Sequence, residues 1–315
     1  MSENQWKNIG KSILSSTSNK TRKEISIPTE KENIIVIGTD IHDESFWTQM
    51  MFIAAATYRI KSGMRAADNN VIAIVPYGYT NLEIGVLETY KKEFKFELVT
   101  IKNSAQLISL LNRNRDRVKI QDLYLYTHGT PGEINFNMGG SPKITITKHS
   151  LANISEKSFS VNGIIHSFAC RTGMKLSIAL LNKSKFNNDA EAKPDESLAM
   201  QMAKYFHVQV NAFLTRTFYR HVLRDYQLDS KIEQELKSLR KKNGDNSVYN
   251  LFNEYEALPH KGISDGITNF GARKAGTDNY VLWPIHGGRC RPSSASTPKG
   301  LSKGVKIFTP DGTWS

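Results

Sequence analysis

An alternation of two patterns constrains this chain more than any other feature. Short runs of β-branched and other apolar residues are separated by stretches whose apolar residues recur three and four apart. Ile34-Ile35-Val36-Ile37-Gly38 precedes a helical pattern over 44–62 that carries Phe46, Met50, Ile53, Ala54, Thr57 and Ile60 and stops at Gly63. Further apolar runs lie at 71–76, 94–101, 123–126, 163–169 and 208–213, with helical patterns at 81–93, 103–114, 149–156, 174–181 and 195–206 between them. Residues 144–147 read as a short strand or hairpin arm. Strands that alternate with helices build a mainly parallel sheet, because a parallel neighbour needs a crossover and the crossover helices cover both faces. The chain is therefore expected to be α/β.

The regular pattern does not span the whole chain. Residues 1–32 are polar and read as a loose arm, 33–215 as the core of a domain that 216–285 would complete, and 286–315 as a basic tail. Within the less regular part, 229–242 reads as a charged helix and 280–283 as a strand. The longest apolar run is Met50–Ala56, far short of the roughly 20 residues that cross a bilayer. The first residues, Met1 to Lys7, lack the apolar core of a secretory signal. With only Cys170 and Cys290 in the sequence, neither a disulfide framework nor an all-cysteine zinc site is available. The expectation is a protein of a reducing compartment, cytoplasmic or delivered without a signal peptide.

Two strand ends carry the chemistry. Leu123-Tyr124-Leu125-Tyr126 runs into Thr127-His128-Gly129-Thr130-Pro131-Gly132, and Ile164-Ile165-His166-Ser167-Phe168-Ala169 runs into Cys170-Arg171-Thr172-Gly173. Ligands of open parallel sheets bind beyond the carboxyl ends of the strands, where both His128 and Cys170 fall. An imidazole can take the proton of a thiol and later return it to a leaving amine. A helix expected after Cys170 would favour its thiolate. Gly129 has no Cβ, so its N–H can approach a substrate oxygen and, with the N–H of Cys170, form an oxyanion hole. A cysteine at a strand end also serves as a small buried apolar residue. His166 shares strand parity with Cys170 and reads mainly as structural. A second His-Gly and Cys set, His286 to Cys290, lies too close together and in a tail-like context.

The blocks ending in His128-Gly129 and Ala169-Cys170 resemble the clan CD cysteine peptidases, which include caspases, legumains, gingipains, separases and the self-processing domains of bacterial toxins. Ala169-Cys170-Arg171-Thr172-Gly173-Met174 and His128-Gly129-Thr130-Pro131-Gly132 are most similar to the legumain branch. The resemblance covers roughly 33–215. It implies a caspase-like three-layer sandwich, a mainly parallel central sheet flanked by helices, here with an irregular C-terminal extension. It further implies Cys170 as nucleophile, His128 as general base and acid, Gly129 and Cys170 as oxyanion donors, a protein or peptide substrate, no metal and no cofactor. The leaderless chain, with a C-terminal third that lacks the family pattern, would suit a bacterial effector or toxin delivered without a signal peptide. In several clan members the loop after the first strand reads the substrate. Here that loop offers Asp40 and Asp43, which would select a basic residue before the scissile bond; Asp43 also suits a helix N-cap. The loop 182–194, with Lys183, Lys185 and Lys193, is a candidate for self-cleavage.

The chain carries 42 Lys and Arg against 30 Asp and Glu, a formal charge of +12. Arg216, Arg220 and Arg224 would line one face of a helix, Lys237, Arg240, Lys241 and Lys242 form a second cluster, and five basic residues lie between Arg289 and Lys306. Most such stripes are solvated surface; the alternative is an anionic partner of the C-terminal third. The rival classes are thus a catalytically inactive caspase-fold interaction module and a basic nucleic-acid-associated protein. No nucleotide-binding glycine-lysine loop is present.

Overall fold

A computed structural model describes residues 29–41, 46–79, 81–219, 222, 288 and 290–315. Its centre is a seven-stranded sheet: β1 (Glu30–Ile37), β2 (Asn69–Ile74), β3 (Glu97–Thr100), β4 (Val118–Tyr126), β5 (Phe159–Ser167), β6 (Gln209–Ala212) and β7 (Lys306–Phe308). The order across the sheet is β3-β2-β1-β4-β5-β6-β7; the first six strands are parallel and β7 is antiparallel. The chain steps outward from β1 to β3, then returns to place β4 on the other side of β1. Loops leaving β1 and β4 therefore diverge, and a crevice opens between them at the carboxyl end of the sheet.

Alternation along β1 builds the three layers. Ile34 and Val36 face a core that contains Leu107, Leu110 and Leu111 of α3 (Ser104–Asn112) and Met200, Met202 and Phe206 of α4 (Leu198–Phe206). Ile35 and Ile37 face the other core, filled by Phe52, Ile53 and Ala56 of α1 (Phe46–Ser62) and Val86, Leu87 and Tyr90 of α2 (Asn81–Phe94). The helices begin where polar side chains can satisfy free N–H groups. Asn103 accepts from the Gln106 N–H at 2.9 Å and Ser197 from the Met200 N–H at 3.1 Å.

An ion pair is buried near the amino end of the sheet. Glu32, 2% exposed, sits 2.5 Å from Arg115 and 3.2 Å from Arg113. Burial pulls the Arg115 guanidinium below its ordinary value, and Glu32 pulls it back up. Arg115 also donates to the Leu110 and Leu111 carbonyls at 2.7 Å, ending α3. Removing the carboxylate would leave a buried cation uncompensated. Glu32→Ala is expected to cost about 3–5 kcal/mol of stability, read from urea unfolding.

Two expectations are corrected here. The four-residue helix Ile178–Leu181 replaces the apolar helix expected over 174–181, and its surface is largely open, with Ile178 79% exposed. Residues expected as a tail form β7 and lie along the β6 edge. Phe308 is fully buried, and the N–H of Phe186, in the loop 182–194, donates to the Lys299 carbonyl of this segment at 2.8 Å. The segment clamps that loop further: Ser302 N–H donates to Asp189 at 2.7 Å and Lys306 pairs with Asp189 at 3.0 Å. Lys183 pairs with Glu191 at 2.6 Å. Lys185 itself pairs with Lys299 in an isolated parallel bridge, so this loop is tied to the C-terminal segment at several points. The readings at 1–28, 229–242 and 280–283, with Asp43, Arg220, Arg224, His286 and the Lys237–Lys242 cluster, lie outside the described residues. Among the described residues no helix is long and apolar enough to cross a membrane.

Candidate active site

Three adjacent strands deliver the expected side chains to one end of the sheet. Beyond β1 the chain passes Gly38, where a Cβ would lie 2.0 Å from Thr127 Oγ1, so only glycine lets it run this close to the exit of β4. Thr39 and Asp40 then pair in parallel with Asn137 and Met138, and the Thr39 hydroxyl donates to the Tyr77 carbonyl. These contacts fix the Asp40 backbone. Its carboxylate reaches His128 Nε2 at 2.9 Å, with the two side chains 11% and 21% exposed. Phe52 of α1 meets the His128 ring edge-on at 5.0 Å and limits its rotation.

His128 begins a small antiparallel sheet in which 128–130 pairs with Glu133–Asn135, and that strand with Thr145–Thr147. Gly129 lies against the Cys170 backbone. A Cβ there would sit 2.7 Å from the Ala169 Cβ and 3.0 Å from both N and O of Cys170. Loop and thiol are thus held together through main chain rather than through flexible side chains.

Cys170 does not open a helix; residues 171–173 form a turn laced to the chain leaving β6. The Arg171 N–H donates to Thr215 O and the Gly173 N–H to Phe213 O, each at 3.0 Å. One residue pair further along, the Thr217 N–H donates to Cys170 Sγ at 3.2 Å. The favourable field expected from a helix dipole is therefore replaced by one backbone N–H. Thr217 and Phe218 are in turn paired with Ser294 and Ser293, so 293–294 supports the strand that touches the thiol. Tyr219, buried, donates to the Phe168 carbonyl at 3.0 Å and packs edge-on against Phe52 at 5.0 Å. Burial, followed by the charge of Cys170, raises its phenol well above the ordinary value, so it stays neutral.

The sequence readings fare unevenly at this site. The structure places Gly129 against the Cys170 backbone, with His128 one residue before it. Asp40 joins them, but at the imidazole: its immediate partner is His128 rather than an open pocket for a basic side chain. Arg216 stands just before the short strand Thr217–Phe218 and not on a helix. Phe52, Thr217 and Tyr219 were not singled out by sequence. Thr217 could not be, since it acts through its backbone and its place depends on residues more than seventy positions away.

His166 is structural. Its ring stacks on Tyr124 at 4.4 Å, Nδ1 accepts from Asn211 at 3.2 Å, and Nε2 lies 3.5 Å from Asp122, which also binds Arg65. Burial pushes the Asp122 carboxyl up, but His166 and Arg65 outweigh it and hold it below the usual carboxylate range. A lowered folded-state value means that Asp122 contributes stability above the ordinary aspartate range and loses it as pH falls through the lowered value. The stability gap between wild type and Asp122→Asn should therefore be widest near neutral pH and shrink in acid, measured by urea midpoints across pH.

A groove of about 680 Å³ adjoins the site, lined by Thr130 and Gly132 after His128, Lys175 and Leu176 after Cys170, and Leu198 and Met200 of α4. Among the described residues no three His, Cys, Asp or Glu side chains are grouped to hold a metal ion. No protein-family model, curated protein or solved structure matches this chain.

Proposed function

We propose that the protein is a cysteine endopeptidase of caspase-like architecture. One observation carries the reading: Asp40, His128 and the Gly129–Cys170 backbone contact meet at the point where the sheet changes direction. A buried apolar cysteine would need neither an oriented imidazole nor a neighbour restricted to glycine.

In this mechanism Asp40 accepts the Nε2–H of His128, which leaves Nδ1 as the basic nitrogen. His128 takes the Cys170 proton, and the thiolate adds to the scissile carbonyl. The N–H groups of Gly129 and Cys170 receive the oxyanion. Collapse expels the amine, protonated by His128, and leaves a thioester on Cys170. His128 then activates water, which releases the acid and restores the thiol. Asp40 stabilises the imidazolium that forms at each proton transfer. The adjoining groove offers room for polypeptide on one side of the scissile bond.

The test is a comparison of cleavage products in a proteome treated with wild type or with Cys170→Ala. New protein N-termini should arise with the wild type alone. Identical N-terminal profiles would count against peptidase activity and favour the inactive interaction module.

A further inference from the structure

Two arginines adjoin the thiol along the backbone. Arg171 follows Cys170 directly, and Arg216 precedes Thr217, whose N–H touches Sγ. The bond from the Arg171 N–H to Thr215 O, 3.0 Å long, ties the turn that carries Arg171 to the residue just before Arg216. Among the described residues neither forms an ion pair. Arg171 is half-buried, its Nε is buried without an acceptor, and its φ of +56° holds it in left-handed backbone. Burial lowers its guanidinium from the ordinary value, Arg216 lowers it further, and only Cys170 opposes them.

Such an arrangement is unfavourable in isolation. Two like charges repel, one of them has given up part of its hydration, and a strained backbone keeps it there. Each cost falls if an anion binds between them, since guanidinium groups bind carboxylates through paired N–H donors. The Asp40 carboxylate is engaged by His128 at 2.9 Å.

We propose that Arg171 and Arg216 form a carboxylate-recognition pair beside Cys170, so that the polypeptide cleaved here presents Asp or Glu next to the scissile bond. The substrate class rests on the peptidase reading above; the anion pair does not. It also replaces the basic-residue preference expected from Asp40 and Asp43.

Charge-matched alkylation tests the pair without requiring turnover. In full-length Cys290→Ser protein, Cys170 is the single thiol. It is treated in parallel with iodoacetate, which is anionic, and iodoacetamide, which is neutral; in both, the sulfur–carbon bond forms as iodide leaves. At low salt the iodoacetate-to-iodoacetamide rate ratio at Cys170 should exceed that of free N-acetylcysteine by about tenfold, and it should approach the free value in 1 M salt. Arg216→Gln, at an exposed position, should lower the ratio several-fold. Arg171→Gln combined with Arg216→Gln should bring it to the free-thiol value, whereas the paired lysine substitutions should retain much of it. A ratio at Cys170 equal to that of the free thiol, or unchanged by Arg216→Gln, overturns the pair.

A degenerate peptide library supplies the second arm. Acidic residues should be enriched beside the cleaved bond, and the enrichment should vanish in Arg216→Gln. Cleavage without acidic enrichment overturns the substrate assignment and leaves the peptidase reading standing. An arginine-dependent iodoacetate preference in a protein that cleaves nothing retains the anion pair and removes the peptidase reading.

Discussion

His128→Ala should lower peptide turnover by about 10²–10⁴-fold, the range over which a positioned acid–base group contributes. The fold should survive, since the ring is 21% exposed and is held by one carboxylate and one aromatic edge. Loss of the hydrogen bond leaves the Asp40 carboxylate partly buried, at a cost of about 1–3 kcal/mol, so thermal unfolding must be measured beside turnover. Asp40→Asn separates orientation from mere presence. An asparagine side chain fits the same space but can offer an NH₂ where the carboxylate accepted. The imidazole would then turn its lone pair on Nε2 toward the amide and carry its proton on Nδ1, the wrong nitrogen for a thiol. Turnover should fall on the order of 10²–10⁴-fold with little change in substrate affinity. If Asp40 instead read a basic substrate residue, the loss would appear in KM and would be confined to substrates with Lys or Arg.

Removal of residues 290–315 should be the most damaging change to the fold. The deletion strips β7 from the edge of β6, uncovers Phe186 and takes away Leu301 and Phe308, which are 7% and 0% exposed. Each large apolar side chain lost from a core costs about 2–5 kcal/mol, against a typical total of about 5–15 kcal/mol. The newly opened strand edge would also invite aggregation. The truncated chain is expected to lack a cooperative thermal transition and to elute as aggregate in size-exclusion chromatography. A gentler variant, Phe308→Ala, should lose about 3–5 kcal/mol and lower Tm by roughly 10 °C, while its Cys170 remains alkylated in the folded fraction. A truncated chain that unfolds cooperatively at the wild-type temperature would show that β7 is dispensable.

Legibility from sequence tracked how local each determinant was. β1, β2, α1, α2 and α3 were readable because their apolar periods are complete within single elements. Cys170, His128 and Gly129 were readable because each sits just past an apolar run. The helix expected from Met174 fails because Leu176, Ile178 and Leu181 keep apolar spacing on an exposed surface, where the pattern no longer reports burial. Residues 290–315 resembled a tail because Ser, Pro, Gly and Lys dominate them. Their order comes from pairing with β6, with 216–218 and with the Phe186 loop, none of which lies nearby in sequence. The partner of Asp40 was hidden for the same reason: 88 residues separate it from His128.

The ladder between Thr217–Phe218 and Ser293–Ser294 has a consequence for the order in which the surroundings of Cys170 are assembled during synthesis. A nascent chain exposes Asp40, His128 and Cys170 long before residues 293–294 have been synthesised. Until then the 217–218 strand lacks its pairing partner, and the bonds from Arg171, Gly173 and Tyr219 hold it beside the sulfur. Vectorial synthesis thus builds a delay into the molecule, with the thiol made early and the strand that supports its neighbour made late.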